Sequence, residues 1–510
     1  MTEHYLDILA CTINENWNTP ALADFYLTED GSAQDTSRGN HYTYGEMYAE
    51  IVRVADLLTN LGLHKGDHIA ICGANSSHWV IAYLAIAKMQ GVSVTVIHSL
   101  QPDQIAQMID FSDAKALFTD KELWEDLRAQ SLPQVQNVIE LEGWSVLYGN
   151  QININNQLQI TNDQCQFAHG EPDELAMICF TSGSSGNPKA VMLSYGNLNN
   201  NCYNNVVLLK DTTNDNKVNF IAILPFAHMY GLIDNMLPHI INGKHILILQ
   251  LASVRQGLSA FLLLRPYGLA VTPYLLKMMI REERKNKCLS LLKYIEIGGA
   301  PLKEEDETLL TEEKIPYFVG YGLTETGPHI TTVHYYNFRK GSVGKIVEGM
   351  TCRIAPNGEI LVKGENVMLG YYKDPEATAR KIDKDGWLHT GDKGHLDEDG
   401  YLYVEGRLEQ DMIVLPNGEN IHPEDIERKI NALPEVSESI VLARDGKLVA
   451  IVVSAISNQS SAFSKNELRR NILRTINPEL PLYSQLYDVE ITDIPLQKTE
   501  KQTIKRYLYK

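Results

Sequence analysis

The 510-residue sequence predicts an α/β fold: a large N-terminal domain of mixed, mostly parallel sheets with helices, and a small α+β C-terminal domain. Three observations carry this. Helical and strand-like patterns alternate at βαβ spacing through the first part of the chain. The chain is too long for one simple core, so two or more domains are expected. In the last hundred or so residues the rhythm changes to two strands around a tight turn, with helices beside them.

The elements follow in order. Thr43-Tyr44-Gly45-Glu46 reads as a capping box. Met47, Ile51, Val54, Leu58 and Leu61 then fall on one helical face, and Gly62 stands where a C-terminal cap belongs. His68 to Cys72 is a short strand. Asn75-Ser76-Ser77 starts a helix that Gly91 ends, before a strand from Val92 to Val96. Pro102-Asp103 opens a third helix, and Ala116-Leu117-Phe118 is the next strand. The polar stretch from Asn150 to Gln166 reads as a surface connection. Leu175 to Phe180 is an apolar run with the look of a buried strand. Tyr195 to Asn205 is a helix with a strongly polar side. Further strands end at Pro225 and cover Tyr294 to Ile297 and Tyr317 to Val319. Near the end, Pro423 suits the first position of a helix. Strands Ile440 to Ala443 and Lys447 to Val453 flank Asp445-Gly446, and Ser464-Lys465-Asn466-Glu467 is a second capping box.

Composition narrows the function. A net charge of −19 argues against a nucleic-acid or anionic-membrane surface. Seven dispersed cysteines without a Cys-x-x-Cys pair fit free thiols in a reducing compartment, so a cytoplasmic location is expected. The fifteen histidines have no zinc-like spacing. The longest apolar stretch, Trp79 to Ile97, contains Lys88, Gln90 and Gly91 and breaks into a helix and a strand, so no transmembrane segment is expected.

The chemistry concentrates in Thr181-Ser182-Gly183-Ser184-Ser185-Gly186-Asn187-Pro188-Lys189. Glycines permit close backbone approach, and successive N–H groups with hydroxyls make an anion site. Lys189 adds a point charge for phosphate. The ending is not that of a Walker A loop. This stretch closely resembles the phosphate-binding loop of the adenylate-forming superfamily, with Ser185 and Ala190 as small departures. Partner motifs follow in family order over nearly the full chain. Pro225-Phe226-Ala227-His228-Met229-Tyr230-Gly231 resembles the segment whose histidine lines the carboxylate pocket. It lacks the Asp that amino-acid-activating relatives carry there, which argues against an amino-acid substrate. Gly298-Gly299-Ala300 and Tyr321-Gly322-Leu323-Thr324-Glu325 resemble the adenine and α-phosphate segments. The resemblance implies an adenine site at Gly299, Ala300, Tyr321 and Gly322, a hydrogen bond donated by Thr324 to the α-phosphate, and Mg2+ on Glu325. Gly358 to Tyr372 resembles the family's β-subdomain. Asp392 matches the ribose-binding carboxylate, and Arg407 a ribose or phosphate contact.

The resemblance places a mobile C-terminal lid over residues 410–510, after a domain of residues 1–409, with the hinge at Gln410 or Asp411. Met412 to Asn420 looks most like long-chain fatty acyl-CoA synthetases. The expected activity is therefore AMP-forming acyl-CoA synthesis from a carboxylic, by this resemblance fatty, acid with ATP, Mg2+ and CoA. Two alternatives stay open: a fatty-acyl-AMP ligase loading an acyl carrier protein, and a catalytically silent nucleotide- or acyl-binding homologue. The second rests on the C-terminus, Leu496 to Arg506, where Thr503 stands in place of the family's catalytic lysine. Lys501 is the expected replacement, with Lys505 as the other candidate.

Overall fold

The computed structural model describes residues 3–26, 39–151, 160–162, 165–181, 189–212, 219–250, 267–286, 292–300, 302, 304–332, 339–408, 413–415, 419–421, 423–455, 465–497, 504 and 506–509. Compactness divides the chain into two units. One holds residues 1–180, 190–390 and 394–405; the other holds 181–189, 391–393 and 406–510.

The large unit contains the expected α/β layers. Its seven-stranded sheet runs, edge to edge, Tyr317–Val319, Tyr294–Ile297, Gly268–Val271, Asn219–Ala222, His245–Gln250, Pro20–Tyr26 and His41–Thr43. All neighbouring pairs are parallel except the last, which is antiparallel. The eight-stranded sheet includes Leu175–Thr181, Val92–Thr95, His68–Cys72, Ala116–Thr119 and Asn137–Glu140, parallel to one another. Strands buried on both faces read as short apolar runs, which is why His68–Cys72 was legible to the residue. A four-stranded sheet of Met350–Ile354, Glu359–Gly364, Leu388–Leu396 and Leu402–Arg407 supplies the β-subdomain.

Local chemistry explains the boundaries. The Thr43 hydroxyl accepts from the Glu46 N–H, the Glu46 carboxylate accepts from the Thr43 N–H, and the helix runs Tyr44–Asn60. Gly62 follows its end at φ 84°. The helix after Ser76 spans Ser77–Lys88, and Gln90 rather than Gly91 takes the left-handed turn, at φ 58°. Trp79 to Ile97 is a helix and a strand as expected, and no helix among the described residues is long and apolar enough to cross a membrane. The helix Tyr5–Glu15 and the strand Pro20–Tyr26 are elements that the sequence pattern did not single out. Most of the Asn150–Gln166 connection lies outside the described residues.

The small unit has a three-stranded sheet, Val436–Arg444, Lys447–Ser454 and Leu486–Thr492, and helices Pro423–Asn431 and Lys465–Ile476. The hairpin turn puts Asp445 at φ 49° and Gly446 at φ 73°, the left-handed pair that a two-residue turn demands. Ile426, Ile430, Val441, Ala450, Val452, Ile472 and Val489 form its core.

Candidate functional site

In the large unit the expected residues gather where parallel strands end. Ligands in open α/β sheets bind at such carboxyl ends. The turn after Asn219–Ala222 carries His228, which is half-buried. Asn75 clamps this turn: its amide donates to the Leu224 carbonyl at 2.7 Å and its Oδ1 accepts from the Phe226 N–H at 2.9 Å. Gly231 is needed because a Cβ there would meet the Pro225 carbonyl oxygen at 2.3 Å. A one-turn π-helix, Tyr230–Met236, follows, a distortion frequent at functional sites.

The next two strands end side by side. Gly298 donates to Val271 at 3.2 Å and Gly320 donates to Ile297 at 3.0 Å, so Gly299-Ala300 and Tyr321-Gly322 leave the sheet along one edge. Tyr230 lays its ring against Gly298, where a Cβ would sit 3.0 Å from it. At Gly322 a Cβ would overlap the Pro328 carbonyl oxygen at 1.8 Å, so the tight return of this loop excludes any side chain. Tyr321 is half-buried, and its N–H donates to the Thr331 hydroxyl at 3.2 Å.

Thr324 and Glu325 lie on a short 3-10 turn, Thr324–Thr326. The Tyr371 hydroxyl donates to Glu325 Oε1 at 2.7 Å. Burial first, and then Glu325, raise the Tyr371 phenol far above its usual range, so it stays a donor. Tyr371 pairs with Val191, two residues past Lys189. Glu325 is thus tied to the strand that leaves the phosphate loop. A carboxylate held by a hydrogen bond from behind has the arrangement of a metal ligand with its supporting group, so these residues fit Mg2+.

The polar side of the helix Tyr195–Thr212 faces inward. Asn197, Asn200, Asn201 and Asn205 are all buried. Asn197 donates to the carbonyls of Glu365 and Val367, and Asn200 to that of Glu348 and to Asn366 Oδ1. Asn201 donates to the Thr326 carbonyl at 3.2 Å and accepts from the His329 N–H at 2.9 Å. This amide ladder fixes the segment that carries Thr324 and Glu325. The clustered asparagines were the available signal.

Asn205 reaches a buried cluster. Asp234, Glu296 and His329 place ligand atoms within 4.8 Å of one another. The Asn205 amide nitrogen is 3.2 Å from His329 Nδ1 and 3.3 Å from Asp234 Oδ1. An amide nitrogen only donates, so His329 Nδ1 accepts and its proton sits on Nε2, 2.8 Å from Asp234. Burial, and then the Asp234 carboxylate, push the Glu296 carboxyl well above the usual range. The protonated Glu296 therefore donates to Asp234. Asn205, His329 and Asp234 are hydrogen-bonded to one another within the cluster.

The small unit holds the remaining expected residues. Thr181 ends the strand Leu175–Thr181 and Lys189 opens the strand Lys189–Ser194; both are half-buried, and the two strands are neighbours. Ser182, Gly183, Ser184, Ser185 and Gly186 lie outside the described residues. Asp392 is buried in the middle of the strand Leu388–Leu396, with Gly391 at φ 78° before it. Thr390-Gly391-Asp392 is therefore strand, where its composition alone suggests a turn. Arg407 ends the strand Leu402–Arg407; its side chain, and all of Gln410, Asp411, Lys501, Thr503 and Lys505, lie outside the described residues.

Comparison with known proteins shows the family and the fold. Residues 14–372 match the family described as AMP-binding enzyme, and residues 410–509 that described as AMP-binding enzyme C-terminal domain. A 2-succinylbenzoate-CoA ligase of Oceanobacillus iheyensis is 29% identical over 459 residues, covering 88% of this chain and 90% of its own. A protein described as probable CoA ligase CCL5 of Humulus lupulus is 28% identical over 437 residues, covering 80% and 77%. Among solved structures, an o-succinylbenzoate CoA synthetase of Bacillus subtilis superposes with a TM-score of 0.77 at 24% identity, over 99% of this chain and 98% of its own. The amide bond synthetase McbA of Marinactinospora thermotolerans gives 0.78 at 21%, over 99% of both.

Proposed function

This chain belongs to the AMP-binding enzyme family, and from that premise we propose how its residues divide the work of an AMP-forming acid-thiol ligase. The reaction has two halves. A carboxylate attacks the α-phosphorus of ATP and pyrophosphate leaves, giving an acyl-adenylate. The CoA thiol then attacks the acyl carbon, and AMP leaves. The first half needs in-line positioning and charge stabilisation rather than a protein nucleophile.

The observation that carries the assignment is the Glu325–Tyr371–Val191 connection, which joins the 3-10 turn to the strand leaving the phosphate loop. Lys189, with the hydroxyls of Thr181, Ser182, Ser184 and Ser185, holds the β- and γ-phosphates. Thr324 donates to the α-phosphate. Glu325 holds Mg2+, which when bound neutralises charge on the phosphate oxygens. Tyr321 offers its ring to adenine, beside Gly299, Ala300 and Gly322. Asp392 accepts from the ribose hydroxyls and Arg407 supports them. His228 borders the acyl carboxylate. Residues 410–510 act as the lid, with Lys501 replacing the family lysine. Lys189→Ala tests the assignment: pyrophosphate release with ATP should fall while the melting temperature holds, because a residue at the mouth of a loop adds little packing. Equal release by the variant removes Lys189 from this role.

Two readings of the acid remain. The Met412 to Asn420 pattern favours a fatty acid. The Asp234–Glu296–His329 cluster favours a tail with its own polar groups: Glu296 stands two residues before Gly298, against which Tyr230 packs two residues after His228. The names of the relatives, 2-succinylbenzoate-CoA and 4-coumarate-CoA ligases, point the same way. Pyrophosphate release with straight-chain fatty acids, 4-coumarate and 2-succinylbenzoate, each in turn, separates them. Release confined to the fatty acids removes the polar reading. AMP release with CoA, compared with a carrier protein, decides the acceptor. No release with any acid returns the silent homologue.

A further inference from the structure

Within the large unit, the Asp234–Glu296–His329 cluster borders open space. Glu296 is half-buried, although Ile295 and Ile297 on either side of it in the strand are fully buried. A Cβ added at Gly320 would sit 3.8 Å from Glu296 Oε1. Apart from the glycine's chain neighbours, no other atom of the described residues lies within 4 Å of that Cβ. The missing side chain of Gly320 therefore leaves Glu296 Oε1 facing room that another group can enter. Tyr230 ties this room to the turn of His228. Two residues past His228, it lays its ring against Gly298, and its hydroxyl donates to the Glu296 carbonyl at 3.3 Å.

The donors of the cluster are already committed. Asp234 accepts from the Asn205 amide, from His329 Nε2 and from the Glu296 carboxyl. A protonated carboxyl has one proton to give, and Glu296 gives it to Asp234. What remains of Glu296 only accepts, and an ionised Glu296 would likewise only accept. A group entering beside Gly320 must therefore bring the donor. An apolar end would leave a buried acceptor cut off from water without a partner. A second carboxylate would bring no donor and would set like charge against Asp234.

We propose that Glu296 determines which acid is used: its Oε1, beside Gly320, accepts a hydrogen bond from a hydroxyl or an amine at the end of the acid remote from the reacting carboxylate. The inference rests on the ligase reading above and deepens its polar branch. It names the remote group as a hydrogen-bond donor and excludes both a bare hydrocarbon end and a second carboxylate.

The test begins with the unaltered full chain, so no folding defect can blur it. Straight-chain acids of matched length, ending in methyl, hydroxyl, amine or carboxylate, are compared by kcat/KM for pyrophosphate release without thiol. Cinnamate is set beside 4-coumarate in the same way. A donor-ended acid should be preferred over its methyl-ended or unsubstituted counterpart by about 10²-fold or more, because a site built to bond a hydroxyl strongly rejects the analogue lacking it. The carboxylate-ended acid should be the slowest. The hydroxyl and amine arms tell which donor is taken. A parent that prefers the methyl-ended or the carboxylate-ended acid overturns the proposal. Glu296→Leu should then abolish the preference for a donor with KM for ATP little changed. Glu296→Gln keeps an accepting oxygen and should restore the preference for the hydroxyl. A Glu296→Leu enzyme that still prefers the donor-ended acid by the parental factor sinks the assignment. Calorimetric binding of the same acids needs no turnover. A parent that binds the donor-ended acid best, yet releases no pyrophosphate with any acid, fails the ligase reading and not this one. A parent that releases pyrophosphate fastest with methyl-ended acids keeps the ligase reading and fails this one.

Discussion

Two helices of the large unit are buried by opposite means. Ser77–Lys88 is buried from Ser77 to Ala87, and Trp79, Val80, Ile81, Leu84 and Ile86 are fully enclosed. Tyr195–Thr212 buries Leu198, Cys202 and Val206 too, but with them Asn197, Asn200, Asn201 and Asn205. The first stabilises by removing apolar surface from water, which is non-directional. The second gains little net free energy from each hydrogen bond but loses much if a bond is left unmade. The apolar helix makes the unit stable. The amide helix decides where residues 326–329, 348 and 365–367 lie, and so where Glu325 points.

The comparison breaks most visibly at Asn201. Asn201→Leu leaves the Thr326 carbonyl and the His329 N–H buried without this partner, each worth about 1–3 kcal/mol. Leu84→Ala should cost about 2–5 kcal/mol by leaving a cavity. Urea unfolding of both variants should give similar losses. Adenylation by the folded protein should fall only in Asn201→Leu. A Leu84→Ala enzyme equally impaired under conditions where it is folded would erase the distinction between stabilising and placing.

The next test asks whether the placed residue needs its placement. Glu325→Gln should raise the Mg2+ needed for half-maximal pyrophosphate release steeply. Tyr371→Phe removes only the supporting hydroxyl and should raise it by about 10–100-fold, the usual effect of a group behind a metal ligand. An unshifted Mg2+ titration in Tyr371→Phe would mean that the amide ladder alone orients Glu325.

The smallest effect lies at the far end of the ladder, where Asn205 meets Asp234 and His329. The Glu296 carboxyl is raised in the folded state, so above the ordinary value of 4.5 the folded chain holds a proton that the unfolded chain has lost. Parental stability should therefore decline as pH rises from about 4.5 towards the folded value, by about 1.4 kcal/mol per pH unit at most. Glu296→Gln keeps a donor towards Asp234 and removes this decline. Melting curves across that range should favour the variant increasingly with pH. Parallel curves would mean that Glu296 is ionised in the folded protein.

Much of this was legible in the sequence, and the same contrast explains what was not. His68–Cys72, Tyr294–Ile297 and Tyr317–Val319 are short, mostly apolar runs, and the structure returns them unchanged. The motif glycines at 231 and 322 stood out by their resemblance to family segments, and in the structure a Cβ at either would meet a backbone carbonyl. The fold class and the AMP-binding family were legible for these reasons. Long-range polar partners were not. A run of asparagines reads as a solvated face, and only tertiary packing turns it inward. Asp234, Glu296 and His329 are far apart in sequence, so no spacing rule joins them. Tyr371 sits in a stretch that looked like plain β-structure, yet its hydroxyl holds Glu325. The identity of the acid depends on such contacts, and the fatty-acid expectation drawn from Met412 to Asn420 stands as one of two readings.

The amide ladder carries no net charge. On a chain of net charge −19, an anionic nucleotide approaches through a field of its own sign. A frame built from ion pairs would add local fields that shift with every movement of its side chains. Amides donating to carbonyls spend their dipoles on one another and add no net charge of their own. Under the proposed assignment, attraction of the triphosphate then falls on a few cations, Lys189 first among them. Nucleotide capture should thus depend on single charges, and raising the ionic strength should weaken the opposing field as well as the attraction.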